Sequence, residues 1–189
     1  MKAAVHPAFE VPVNDATASS VAPFGVFIDG SVTNSINIPY YTGRVIEGGD
    51  IGFGYRGRAC VRTAQVLPGD PTVLWLERHI YLTQLFIALG QAPYVMVLAP
   101  PNHMNGGDLP DLEQVSALRF PGGSGLLLHS GTWHDFPLAC DQPVAFIIAN
   151  SVEVIEALVN SGGPREIDEG DVRKVNLADR FGMNVRPLL

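Results

Sequence analysis

No apolar run in this chain is long enough to cross a membrane; none is longer than Val144–Ala149, which has the length of a strand. Basic residues are also scarce. Twelve Lys and Arg stand against nineteen Asp and Glu, a formal net charge of −7. Such a surface repels nucleic acid and anionic membranes, although a locally basic pocket could still take a small anion. Residues Met1–Ser20 lack an apolar core and a basic cluster, so no secretory leader and a cytoplasmic location are expected. Only two cysteines occur, Cys60 and Cys140, and in a reducing compartment they are expected as buried free thiols rather than a disulfide. There is no G-x-S-x-G, no P-loop and no C-x-x-C. Gly52-Phe-Gly-Tyr-Arg-Gly has neither the strand before it nor the helix after it that a dinucleotide site needs. No repeat or low-complexity block is found.

Glycine and proline are plentiful, with twenty and fifteen among 189 residues. They punctuate the chain into short elements and favour strands and turns over long helices. Residues 1–13 read as an irregular arm. Asn14–Ser20 offers a cap and a short helix, Pro23 ends it, and Phe24–Ile28 begins a strand. The glycine-rich stretch 43–57 reads as loop or hairpins. Strands are then expected near 59–67, 73–79, 83–89, 93–99, 115–120, 124–129, 133–138 and 143–150, separated by Pro- and Gly-rich turns. Regular short strands at this spacing predict an antiparallel sandwich or barrel. Val152–Asn160 reads as an amphipathic helix, and 161–189 as a mixed, charged tail that packs on the domain or makes a dimer contact.

The chemistry concentrates in two strand-like segments. The first is Glu77-Arg78-His79 with Gln84; the second runs from His129 to His134. On a strand, residues two apart share a face, so Glu77 and His79 point one way and Arg78 the other. Polar groups aimed into an apolar sheet are costly unless satisfied. A metal ion, a polar substrate or a closed polar network would satisfy them. His129 and His134 would face opposite ways on a regular strand, and a bend at Gly131 could turn both toward one cavity. They could equally be aromatic packing residues beside Trp133 and Pro137. His103 sits in a polar loop and His6 in the arm. Arg56, Arg58 and Arg62 flank one glycine-rich segment and are the candidates for carboxylate binding, because a guanidinium can donate two parallel hydrogen bonds to a carboxylate.

These residues resemble a known family. Glu77-Arg78-His79, Gln84 and Phe86-Ile87, followed by His129, Trp133-His134 and Pro137, are similar to the signature of the ureidoglycolate lyases, small cupin-fold enzymes of allantoin breakdown. Ala22-Pro23-Phe24-Gly25 is similar to their opening strand. Gly123, Gly131 and His134 match the spacing of the second cupin motif, with His129 in the place of its proline. The resemblance implies one cupin-like domain over 1–189: an all-β antiparallel barrel or jelly roll with two or three short helices, an arm over 1–22 and an extension over 161–189. It also implies a homodimer. It further implies a divalent metal, with Ni, Zn or Fe suited to the donors, held by Glu77, His79, Gln84 and His134. The reaction implied is cleavage of ureidoglycolate to glyoxylate and urea. Glu77 would be a fourth ligand or the base, His129 the acid, and Arg56, Arg58 or Arg62 the carboxylate binder. The chain departs from the family at Ile80 and Ala88, where prolines are usual, in the segment 37–45, and in its longer tail. Two alternatives are a metal-dependent cupin acting on another small hydroxy- or keto-acid, and a non-catalytic small-molecule-binding cupin that needs no metal.

Overall fold

The structure is a computed structural model that describes residues 6–41 and 43–189. Its elements are fourteen strands and three short helices, in two facing sheets. The smaller sheet has the order β2 (Gly25–Ile28), β8 (Gly125–Leu128), β5 (Gln84–Leu89), β11 (Val144–Ser151) and β3 (Ala59–Val66), all antiparallel. The larger has the order β12 (Ile167–Glu169), β13 (Val172–Asn176), β4 (Trp75–Arg78), β9 (Trp133–His134), β6 (Tyr94–Ala99), β7 (Ser116–Phe120), β1 (Ala8–Asp15) and β14 (Asn184–Leu188), with β10 (Leu138–Ala139) also paired to β6. The helices are α1 (Ala18–Val21), α2 (Val152–Val159) and α3 (Leu177–Phe181). This is the all-β, cupin-like architecture.

The two sheets are held by what their alternating faces bury. Phe86, Leu126, Leu128 and Phe146 of the smaller sheet meet Tyr94, Met96, Leu98 and Phe120 of the larger. Tyr94 stacks on Phe120, with ring centroids 5.0 Å apart, and presents an edge to Phe146 at 4.9 Å. The larger sheet is buried on its other face too, where Leu76, Val95, Val97, Ala117, Trp133, Val175 and Val185 form a second cluster. Burial on both faces explains why β6, Tyr-Val-Met-Val-Leu-Ala, is apolar throughout instead of alternating. Among the described residues, no helix is long and apolar enough to cross a membrane.

Several expectations are corrected. Of the irregular arm, the first five residues lie outside the described residues, but Ala8–Asp15 is a strand that pairs in parallel with both β14 and β7. Phe9, Val11 and Val13 do alternate, and Val11 is buried; Pro12 obscured that pattern. The expected strand 133–138 is two short strands, β9 and β10, with Pro137 between them, a residue that cannot donate to a ladder. The tail packs on the domain as regular strands. A hairpin, β12 and β13, turns at Gly170 (φ 61°) and Asp171 and adds to β4, and β14 closes against β1. Stretch 43–57 is mainly loop, bridged once at Ile36 and Glu47. Cys60 and Cys140 are free, but half-buried rather than buried.

Candidate active site

Three neighbouring strands bring the polar residues together. On β4, Leu76 and Arg78 face the outer cluster, and Glu77 faces the interior between the sheets. The register sets His134 of β9 directly opposite Glu77 on one side and Lys174 of β13 opposite it on the other. His79 follows where β4 ends. Gln84 opens β5 in the facing sheet, and its Oε1 lies 3.1 Å from His134 Nε2. Glu77, His79, Gln84 and His134 are all buried. Glu77 Oε1 stands 3.7 Å from His79 Nε2 and 3.9 Å from His134 Nε2.

Backbone carbonyls orient both imidazoles. His79 Nδ1 lies 2.8 Å from the Asp171 carbonyl oxygen and His134 Nδ1 lies 2.9 Å from that of Thr132. A carbonyl only accepts, so each Nδ1 carries a proton and each Nε2 is the nitrogen turned inward; His134 is held neutral and turns a lone pair inward, whereas His79, against the effect of burial, is raised above its ordinary value by Glu77. His79 Nε2 is buried with no hydrogen-bond partner. His134 Nε2 and Gln84 Oε1, two acceptors 3.1 Å apart, call for a cation or for the amide turned to donate. Two donors about 2.1 Å from one ion can be at most about 4.2 Å apart; Glu77–His79, Glu77–His134 and Gln84–His134 fall inside that limit, and the donors of Glu77, His79 and His134 all lie within 4.8 Å of one another. Imidazoles oriented through Nδ1 by backbone carbonyls are also the usual outer-shell arrangement of histidine ligands. The donor set therefore fits a divalent metal ion, with Glu77, His79 and His134 as its nearest group.

Charge is arranged around this cluster. Burial opposes ionisation of Glu77, but His79, Lys174 and His134 outweigh it and hold the carboxyl well below the ordinary range. Lys174 Nζ donates to Glu77 Oε2 at 2.8 Å. Burial also works against a charged Lys174, and Glu77 and Asp135 reverse it, so the ammonium is held on. Burial and then the neighbouring His79 push His134 down to about 4, which keeps it neutral. Burial pushes Asp135 up to about 6, against the pull of Lys174.

Beside the cluster lies a cavity of roughly 300 Å³. Its polar lining is Arg62, Thr63, Glu77, Gln84 and Asn150; its apolar lining is Ala64, Phe136 and Ile148, with Ile155, Leu158 and Val159 of α2. Arg62 pairs in register with Ile148 and shares the inward face of β3 with Ala64. It has no ion-pair partner among the described residues. The other two arginines are elsewhere. Arg58 is exposed and committed to Glu153 and Glu156 of α2, at 3.0 and 3.3 Å. Arg56 lies over the ring of Tyr81 at 4.6 Å. His129 is not brought into the cluster either. β8 ends at Leu128, the His129 side chain is exposed, and it does not line the cavity.

The bend at Gly131 does occur, with φ +84°. Its N–H donates to the His79 carbonyl at 2.6 Å, and a Cβ there would stand 2.1 Å from His103 Nδ1. Arg78, on the opposite face, is buried rather than solvated. Its guanidinium lies 4.6 Å from the Trp133 ring, donates to Asn102 Oδ1 at 2.9 Å and the Gly107 carbonyl at 2.7 Å, and pairs with Asp108 at 3.4 Å. Of segment 37–45, Thr42 lies outside the described residues, and no described residue of it lines the cavity.

Sequence reasoning missed Lys174 and Asp171. The available signal was Glu169-Gly-Asp-Val, a two-residue Gly-Asp hairpin turn between short strands. It also missed Asp135, for which an acid between His134 and Phe136 was the only sign.

The sequence model of the family described as ureidoglycolate lyase matches residues 9–162. A ureidoglycolate lyase of Azotobacter vinelandii is 33% identical over 93 residues, 49% of this chain and 53% of its own length. One of Pseudomonas syringae pv. syringae is 32% identical over 87 residues, 46% of this chain and 48% of its own. A third, of Pseudomonas putida strain W619, is 34% identical over 87 residues, 46% and 49% of the two chains. The alignments thus span about half the length of these curated relatives. With the match running from β1 to the residues just after α2, the chain belongs to the ureidoglycolate lyase family.

Proposed function

We propose that this protein is a carbon–nitrogen lyase that splits ureidoglycolate into glyoxylate and urea. The observation that carries the reading is a pair of buried imidazoles, each with Nδ1 tied to a backbone carbonyl and Nε2 turned toward Glu77 and Gln84, beside a cavity lined by Arg62. His79, His134 and Gln84 would hold a divalent ion, with Glu77 Oε1 as a fourth donor or as the base. Such an ion, when bound, lowers the pKa of a coordinated hydroxyl. Nickel, zinc or iron suits the imidazoles.

The chain's own residues account for the rest. Arg62 binds the substrate carboxylate. Where Glu77 acts as the base rather than as the fourth ligand, its ionised Oε1 takes the α-hydroxyl proton while the carbonyl of glyoxylate forms and the C–N bond breaks. The electron pair leaves on the urea nitrogen, and the same proton is returned there, so no second acid is needed. This removes the role expected of His129, whose exposed position does not serve it. The family resemblance and the acidic surface extend the reading to a cytoplasmic homodimer that binds neither nucleic acid nor membrane.

A second reading has one specific observation in its favour. The α2 wall of the cavity is aliphatic, and its volume exceeds the needs of so small and polar a substrate. That suits another small hydroxy- or keto-acid with an apolar substituent. Release of urea and glyoxylate from racemic ureidoglycolate, with added divalent metals and again with chelator, tests the first reading. Metal-dependent release of both products supports it. No release from folded, metal-loaded protein overturns it and moves the assignment to the second.

A further inference from the structure

We propose that the hairpin Ile167–Asn176, which lies beyond the segment matched to the family, is part of the site, with Lys174 as the positioning residue that leaves Glu77 one free oxygen. The inference rests on the reading of Glu77, His79 and His134 as cation ligands. Three contacts carry it. Lys174 sits opposite Glu77 in the ladder and its ammonium takes Oε2 at 2.8 Å. Only Oε1 is left facing the two imidazoles. At the hairpin turn, the Asp171 carbonyl accepts from His79 Nδ1 and so sets its tautomer. Asp171 Oδ1 accepts the backbone N–H groups of Ile80 and Tyr81, at 2.6 and 2.9 Å, which fixes the turn that follows His79. Ile80 matters here, because a proline in its place would have no N–H to give.

One hairpin therefore orients two of the three nearest ligands and adds a positive charge beside them. The consequence is a weakened grip on a dication: Glu77 offers one oxygen rather than two, and the ammonium repels the ion. The test is nickel titration of chelator-treated full-length protein by calorimetry, for the wild type, Lys174→Met and Lys174→Arg, with His134→Ala as reference. Lys174→Met is expected to bind nickel at least about ten-fold more tightly, and Lys174→Arg, which keeps the charge, within about three-fold of wild type. A merely structural lysine would lower the melting temperature of the Met variant without tightening nickel binding. If the Met variant does not fold, Lys174→Gln, uncharged but still a donor, carries the same expectation. Unchanged or weaker nickel binding by a folded neutral variant overturns the proposal alone. Wild-type binding no better than that of His134→Ala overturns the metal reading, and this proposal with it.

Discussion

The two faces of β4 bury charge in opposite ways. Arg78 on the outer face is closed off by Asn102, Gly107, Asp108 and the ring of Trp133. Glu77, with His79 just beyond it, is held from one side by Lys174 and Asp171, and its remaining oxygen faces imidazole nitrogens, one of them with no hydrogen-bond partner. Both faces are as deeply buried, so depth does not tell a structural charge from a functional one. What differs is the kind of partner each side meets: Arg78 gives both Nη groups to the acceptors Asn102, Gly107 and Asp108 and leaves only Nε unpaired, whereas Glu77 Oε1 and the two Nε2 atoms face one another. A charge met by complementary protein groups holds the fold; potential cation donors gathered at one point are arranged to bind.

The sharpest way to break this contrast is to truncate one residue on each face. His134→Ala should abolish divalent-metal binding and reduce turnover about a thousand-fold or more, with little change in unfolding free energy. Arg78→Ala should cost about 1–3 kcal/mol in denaturant unfolding, from the lost hydrogen bonds to Asn102 and Gly107 and the lost contact with Trp133, and leave metal content per folded molecule near wild type. If Arg78→Ala depletes metal more than His134→Ala, the two faces have been assigned the wrong way round.

Gly131 joins the faces, since its bend places β9 beside β4. Gly131→Ala combines positive φ with a clash against His103 and should cost about 3 kcal/mol. A melting temperature like wild type would show that the bend is not needed. The arginines sharpen the contrast more gently. Arg62→Ala should raise KM for a carboxylate substrate about ten- to hundred-fold at nearly constant stability, as loss of a charge-assisted hydrogen bond predicts. Arg58→Ala should leave KM unchanged, since that side chain serves the exposed start of α2. Equal KM effects would remove Arg62 from the site.

The smallest expected effect is in the pH dependence of the metal-free protein. Glu77, with its folded pKa depressed, contributes stability that is present above its ordinary value of 4.5 and is lost as pH falls through the lower folded value. Asp135 works in the opposite sense. Burial raises it from 3.8 to about 6, so its contribution is full below 3.8 and is lost as pH rises through 6. Melting temperatures in chelator between about pH 4 and 8 should therefore carry a downward component that Asp135→Asn removes. An identical slope in the variant would show that Asp135 is not strained by burial.

Much of the fold was legible because alternation and turn residues encode it locally. From Ala59 to Ser151 the expected strands lie within a residue or two of the observed ones, except where Pro137 splits one. The site was legible to the extent that face alternation reaches: Glu77 and His79 on one side, Arg78 on the other. It failed where the answer depended on which strands become neighbours. Nothing in Val-Arg-Lys-Val says that β13 will lie beside β4, yet that adjacency is what places Lys174 on Glu77. His129 failed for a related reason. Its five-residue spacing from His134 was read as two arms of one bend, but the strand had already ended at Leu128. Arg58 could not be told from Arg62 by composition or by alternation, since residues four apart share a parity; what separates them is that Arg58 falls just before β3 and is taken by Glu153 and Glu156 of α2, whereas Arg62 lies within β3 opposite Ile148.

The closure of β14 on β1 has a consequence for the order in which the protein is made. Val185 pairs with Phe9, and Lys174 with Glu77, 97 residues earlier in the chain. A nascent chain that has emerged only as far as His134 already carries every candidate metal ligand, yet it lacks the carbonyl that orients His79 and the ammonium that restrains Glu77. Contacts so distant in sequence form late, after the cost of closing the long loop between them has been met. During synthesis the candidate ligands therefore precede the groups that orient and restrain them, which are supplied by residues 167–188.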